Sequence, residues 1–381
     1  MSSYRSLGIL SLALSCAIMA IAADPDKTPK AADTKVDESK VPEIPELQKI
    51  LTDVFSPDAA VAEPAAKGLL KGLQEHVKTA DKPYIRKLNE ELNADKPELR
   101  AEALKTLTGT LGDLRKANEK LWADISSKLN SKTLSDRDSS RVLLVASINQ
   151  VIETDIVDKL IEGLASTDAA AAAAAAKKLQ EMGANAASGL AAALEDERAA
   201  VKKTASEVLK AMGPAAKEAA SDLAFLLDNE DKGTRRLAAM VLENLGPDAA
   251  EVVEDMVLYL DSDKKTVRRA AAGILKKMGA AAKEATTDLV DLLTSDDKNV
   301  RSLAADVLTN LGAHAKEGVE GLSDIISDDA NDVDSRERAA RVLAAIGPDA
   351  KESLDVLKKY EKDENVALRD AVQAAIKKIQ P

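Results

Sequence analysis

Residues 234–246 read TRRLAAMVLENLG, residues 267–279 read VRRAAAGILKKMG and residues 300–312 read VRSLAADVLTNLG. In register they share a β-branched start, an arginine, small residues in the middle, a branched apolar pair and a closing apolar-Gly. The apolar set Leu237, Ala238, Val241, Leu242 and Leu245 recurs as Ala270, Ala271, Ile274, Leu275 and Met278, then as Leu303, Ala304, Val307, Leu308 and Leu311. Spacing of i, i+3 and i+4 is one face of a helix. Alternation of small and large side chains lets neighbouring helices approach and interlock.

The closing pair extends the pattern in both directions: Met182-Gly183, Met212-Gly213, Leu245-Gly246, Met278-Gly279, Leu311-Gly312 and Ile346-Gly347, with glycine steps of 30, 33, 33, 33 and 35 residues. A glycine at the end of an apolar stripe is expected to close its helix in the left-handed conformation. Pro214, Pro247 and Pro348 follow directly, where a missing N–H is harmless at the start of the next helix. That next helix carries its own stripe, Leu223, Leu226 and Leu227, matched by Met256, Tyr259 and Leu260 and by Leu289, Leu292 and Leu293. Polar turns at 228–231, 261–263 and 295–297 separate it from the second helix. Each repeat is thus one helical hairpin, which cannot bury its apolar faces alone and must stack on its neighbours.

The region before Gly183 reads as hairpins with weaker signatures over 45–73, 83–111, 118–151 and 155–182, giving about ten in all. The alanine run Ala169–Ala176 is a strong helix former and reads as the second helix of the fourth. The expected organisation is a signal peptide over 1–23, a disordered linker over 24–43, divergent helical repeats over 44–154 and regular repeats over 155–381.

With the repeat length, the apolar-Gly-Pro junction and the Asp-rich turn leading to Val267-Arg268 and Val300-Arg301, with Thr234-Arg235 as the equivalent, the chain resembles HEAT repeats of the short kind found in phycobilisome-lyase-type proteins. The resemblance is clear from about Asp155 onward. It implies an all-α, right-handed α-solenoid of antiparallel hairpins. The Trp and Tyr positions of tetratricopeptide repeats are missing, and armadillo repeats would be longer, with a third helix.

Composition narrows the function. Aromatic residues make up 2% of the chain and the net charge is −12, where a nucleic-acid binder needs a basic excess and stacking rings. Ser2–Arg5 form a short basic start, Leu7–Met19 are apolar, and Ala20-Ile21-Ala22 is an A-x-A cleavage site before Ala23 and Asp24. A protein outside the cytoplasm, periplasmic or secreted, is expected, with no membrane span in the mature chain. The one cysteine, Cys16, lies inside that leader, so no thiol chemistry or disulfide remains after cleavage. Ala13-Leu14-Ser15-Cys16 is a poor match to a lipidation site.

No catalytic, metal or cofactor residues stand out. His76 and His314 lie far apart along the array, which supports neither a triad nor a metal site. The acidic stretch 328–334 lacks the glycine and glutamate of an EF-hand loop and reads as a solvated turn.

Arginines do recur: Arg235, Arg268, Arg301 and Arg369 each stand 22 residues after their glycine, Arg336 24 after its own. An arginine in the first helical turn opposes the helix dipole and needs an acidic partner. The turn residues Asp228, Asp261, Asp263, Asp296 and Asp363 are the expected ones, and the resemblance implies that such pairs form a structural ladder between hairpins.

Five first helices from 214 to 361 sum to −12 and five second helices from 234 to 380 to +10. In a HEAT-like solenoid the second helices line the concave side. Lys202, Lys203, Arg236, Arg269, Lys276, Lys277, Lys377 and Lys378 would then form a basic inner face steering a protein partner or anionic polymer. Equally, the opposite layers would simply attract one another. The leading functional expectation is an exported, non-enzymatic interaction scaffold gripping its partner on the second-helix face. The alternatives are a lyase-type accessory subunit and a structural component of the cell envelope.

Overall fold

The computed structural model describes residues 47–76, 83–117, 122–123 and 134–380. The expected signal peptide and linker lie outside them. The described residues form helices and turns without strands, in two compact units, Met1–Ile156 and Val157–Pro381.

In the first unit lie α1 (Leu47–Asp53), α2 (Ala59–His76), α3 (Pro83–Leu92), α4 (Pro97–Ala117) and the larger part of α5 (Leu134–Gly163). Leu69, Leu70, Leu73, Ile85, Leu107, Leu111, Leu144 and Ile148 are fully buried there. The structure differs from the expected hairpin over 118–151 followed by another over 155–182, because α5 runs unbroken through residues 151–155. From Leu134 to Glu162 the sequence holds no glycine or proline, and Val151, Ile152 and Val157 continue its buried stripe, so nothing ends the helix.

The second unit begins with the end of α5 and α6 (Ala169–Met182), capped by Asp168, whose side chain accepts from the Ala170 N–H. Six hairpins follow: α7 (Ala184–Ala192) with α8 (Ala199–Met212), α9 (Ala220–Phe225) with α10 (Lys232–Leu245), α11 (Val253–Tyr259) with α12 (Lys265–Met278), α13 (Thr286–Asp291) with α14 (Lys298–Leu311), α15 (Val319–Ser327) with α16 (Val333–Ile346), and α17 (Leu354–Tyr360) with α18 (Val366–Ile379). The second helices pack on one another in sequence order, and so do the first helices. One continuous core runs between the two layers, from Val157 and Leu179 to Val372 and Ile379.

The junction glycines all have positive φ, from 53° at Gly246 to 73° at Gly347. Their ψ values, −131° at Gly183 and −121° at Gly246, are not those of the left-handed helix expected from sequence. The pair lies in a region that only a residue without Cβ reaches at low cost. After Gly183 the chain enters α7 directly, but from Gly213 onward it first enters a 3-10 turn, as in Gly213–Ala219, Gly246–Val252 and Gly347–Ser353, where each proline sits at its start. Ala249 and Ala350, with ψ near 18°, mark the kink before the α-helix proper begins.

Several helices start on side-chain caps: Asp231 accepts from the Gly233 and Thr234 N–H groups, Asp297 from Asn299, Asp332 from Ser335, and Asn365 from Ala367 and Leu368. Among the described residues the Asn365 side chain makes no other hydrogen bond, so Asn365→Ala isolates the cap. A loss of about 1 kcal/mol is expected in urea unfolding of the full chain, and an unchanged midpoint would contradict the cap assignment.

Candidate functional site

The repeated arginines solve a problem that the sequence posed. Arg235 Nη1 donates to the Asn229 and Glu230 carbonyls at 2.6 and 2.8 Å. Arg268 Nη1 reaches the Ser262 carbonyl at 2.7 Å, Arg301 those of Ser295 and Asp296 at 2.7 and 3.3 Å, and Arg369 that of Asp363 at 3.4 Å. Each guanidinium starts in the first turn of a second helix and lies against carbonyls of the turn that joins it to the preceding first helix. A cation there satisfies main-chain acceptors that the turn leaves without an N–H partner.

The acidic partners are therefore not those expected. Asp228 pairs with Lys264 at 2.6 Å instead of Arg235, and Asp363 and Asp296 contribute main-chain carbonyls. Asp261 and Asp263 make no ion pair among the described residues. The carboxylates that meet the repeat cations come from the next hairpin, at the N-terminus of its second helix. Lys202 pairs with Asp231, Arg268 Nη2 with Asp297 at 3.6 Å, and Arg301 Nη2 with Asp332 at 3.3 Å. Arg301 Nε donates also to Asp334 at 3.0 Å.

A ladder does exist, but its rungs join the first turn of one second helix to the cap of the following one. A cap residue has to accept backbone N–H groups in any case, so the carboxylate is already oriented when the cation arrives. Arg336 departs from the pattern because its repeat is longer. Its Nε donates to the Ile326 carbonyl at 2.9 Å, Nη1 meets Asp329 at 3.2 Å, and the guanidinium lies 4.7 Å from the Tyr360 ring centre. Of the acids of the 328–334 stretch, Asp329 and Asp334 are thus engaged with arginines, Asp332 with a cap and Arg301, and Asp328 with the Ala330 N–H within the turn.

Electrostatics follow the geometry. The Lys202 ammonium, with the Gly233 N–H and Thr234 hydroxyl, holds the Asp231 carboxyl far below the ordinary range. Asn299, through backbone and side chain, and the Arg268 charge lower Asp297. Burial pushes Asp334 up, but hydrogen bonds from Arg338 and Arg301 outweigh it and leave its pKa lowered.

A family model for HEAT repeats matches residues 220–309. This is a HEAT-like repeat protein. No curated protein matches its sequence. Among solved structures it is similar to an engineered protein, at 25% identity over 58% of this chain and 96% of that one with a TM-score of 0.32. It is similar also to importin beta, at 15% identity over 88% and 50% of the two chains with a TM-score of 0.39, and to the CpcE–CpcF complex of phycocyanin lyase from Nostoc sp., at 21% identity over 57% and 93% with a TM-score of 0.27.

Within the HEAT array the eight cations expected on the inner face divide by role. Lys202 is a ladder residue, its ammonium held by Asp231 and, at 3.2 Å, the Thr234 hydroxyl. Lys276 and Lys277 end α12, and Lys377 and Lys378 end α18, where they complement the C-terminal dipoles. Lys203, Arg236 and Arg269 are exposed and occupy one position in three successive second helices, which continues as Ser302, Glu337 and Asp370. This column grades from basic to acidic along the stack.

Sequence reasoning missed three features. Arg100 in α4 binds the Ala94 and Asp95 carbonyls at 2.9 and 3.0 Å and Glu63 at 3.2 Å. It is the same device in the divergent unit, signalled by the Asp95-Lys96 turn before Leu99-Arg100. Phe225 and Leu258, 77% and 73% exposed, share a position on α9 and α11 and place two large apolar side chains on the first-helix face. The third, a gap in the ladder, follows from aligning the cap positions Asp231, Lys264 and Asp297.

Among the described residues, no group of histidine, cysteine and acidic side chains is arranged to hold a metal ion, and no helix is long and apolar enough to cross a membrane. His314 is exposed, and the side chain of His76 lies outside the description.

Proposed function

We propose that this HEAT-like scaffold is exported and binds a protein partner along the exposed face of its second helices, centred on Lys203, Arg236 and Arg269. The observation that carries the reading is that column. Three cations at one position of consecutive helices about 8–10 Å apart form a linear array on a chain whose net charge is −12. Clustered charge of one sign on a low-dielectric wall speeds encounter with a partner of opposite sign and fixes its register. The ladder cations, by contrast, are used up inside the stack, whereas the column lies open along the middle of its helices, between the lysines exposed at their ends. Among the described residues Arg236 and Arg269 make no ion pair, and Lys203 has only Glu207 on its own helix at 3.8 Å.

The triple charge reversal Lys203→Glu, Arg236→Glu and Arg269→Glu is expected to leave the helical content unchanged and to lower capture of the native partner at least tenfold. Full capture by that variant would remove the column from the interface. Export rests on the leader at 1–23. Residues 1–40 fused to a phosphatase that is active only outside the cytoplasm should give activity, lost when Leu10 and Leu12 are both changed to Arg.

A further inference from the structure

Among the described residues between α8 and α16 the ladder lacks one rung, and the space beside it is open. Aligned by repeat, the position that supplies Asp231, Asp297 and Asp332 holds Lys264 in the α10–α12 step. The position that supplies Asp334, the second acceptor of Arg301, holds Thr266. Lys264 turns away, its Nζ bound to the Asp228 carboxylate at 2.6 Å and carbonyl at 2.9 Å. Arg235, the counterpart of Arg268 and Arg301, makes no ion pair among the described residues; its buried Nε, like that of Arg268, has no hydrogen-bond partner, so it is the missing carboxylate that sets Arg235 apart.

Beside it lies a pocket of 280 Å³ between α10 and α12, with Leu227, Ala239, Val267 and Ala270 among its lining. Ala270 stands where α10 and α14 carry Leu237 and Leu303, so a missing isopropyl group helps to open it. Lys232, Arg235 and Arg236 line it with Thr266, and Glu243 is the one acid among the lining residues.

We infer that this pocket receives an acidic segment of a partner protein, one carboxylate of which takes the vacant rung on Arg235 while a neighbouring aliphatic side chain fills the space left by Ala270. The inference rests on the second-helix face being the docking face. Its support is internal, since the α14–α16 step of the same chain shows what a carboxylate does when presented to this arginine, binding Arg301 through Asp332 and Asp334. The unpaired cations favour an acid, and the apolar floor favours a side chain over a bare anion.

Two substitutions close the site by copying neighbouring repeats, and so preserve the fold. Lys264→Asp supplies the missing rung from within, and Ala270→Leu fills the pocket. The probe is the acetylated, amidated tetrapeptide Asp-Leu-Glu-Leu, titrated to millimolar concentration into the full chain labelled with 15N-arginine. Its amide analogue Asn-Leu-Gln-Leu and inorganic tripolyphosphate are the controls.

The acidic peptide is expected to shift the Arg235 Nε–H resonance saturably, the analogue to have no effect, and each variant to weaken binding by about tenfold or more. No saturable shift, equal binding by the analogue, or unchanged affinity in both variants would overturn the inference. Tripolyphosphate binding as tight as the peptide and indifferent to Ala270→Leu would also overturn it, because the site would then read charge alone. If the peptide fails while reversal of Lys203, Arg236 and Arg269 still lowers partner capture, the pocket falls and the wider face stands.

Discussion

Gly246→Ala is expected to destabilise the repeat unit by about 2–4 kcal/mol, among the largest effects of any single methyl group in this chain. Gly246 has φ 53° and ψ −121°, so an added Cβ strains the backbone itself. The new methyl would also sit 3.2 Å from the Lys277 carbonyl oxygen of the next repeat, inside normal contact. Gly279→Ala separates the two causes. Its φ of 54° is equivalent, but nothing lies within 4 Å of the added Cβ, so only the backbone share, about 1–2 kcal/mol, should appear. Urea unfolding of both variants checks the ordering, and equal losses would show that contact with the next repeat is relieved at no cost.

Arg301→Met should cost on the order of 3 kcal/mol, against about 1 kcal/mol for Arg235→Met. Both remove hydrogen bonds to turn carbonyls. Only Arg301 also leaves Asp332 and Asp334 without their inter-repeat cation, and it is the more buried of the two, at 8% exposure. A pH dependence distinguishes this from lost packing. Asp334 has a lowered pKa in the fold, so its contribution is complete above the ordinary carboxylate range and disappears as pH falls through the lowered value. Acid unfolding of the parent chain should therefore be steeper below about pH 4 than that of Arg301→Met, although Arg338 retains part of the shift. Parallel acid titrations of the two proteins would contradict the ladder as a charge-dependent element.

How far the sequence reveals this fold depends on how local each signal is. The six glycines and their spacing announce every junction from Met182 to Ile346, because a residue at positive φ before a proline or alanine is a one-residue requirement. The 3-10 entry after the five glycines from Gly213 onward is hidden, since Ala and Lys suit either helix and tertiary packing decides. The unbroken α5 was likewise obscured, because repeat expectation imposes a turn at 151–155 that the residues themselves do not contain.

The arginines were legible as a recurring element, but not their acceptors. Acids four to seven residues upstream are close in sequence, whereas the true rungs lie 29 to 31 residues downstream, as in Arg268–Asp297 and Arg301–Asp332. The short-range reading also overlooked main-chain carbonyls, which have no sequence signature. Lys202 was assigned to the open face for the same reason, since Asp231 is not a neighbour until the hairpins stack. By contrast, the column Lys203, Arg236 and Arg269 and the substitutions Lys264 and Ala270 are visible once the repeats are aligned by position instead of summed by layer.

The two layers carry their lysines apart, and that makes the central claim open to one direct measurement. Lys203, Lys232, Lys265, Lys276 and Lys277 are exposed on second helices, while Lys217, Lys283, Lys316 and Lys351 are exposed on the 3-10 turns of the first-helix layer. Lysine-reactive crosslinking in the native host, read by mass spectrometry, should join the partner to the first set, with Lys203 and Lys232 foremost. Crosslinks confined to Lys217, Lys283, Lys316 and Lys351 would place the partner on the Phe225–Leu258 face and contradict the account.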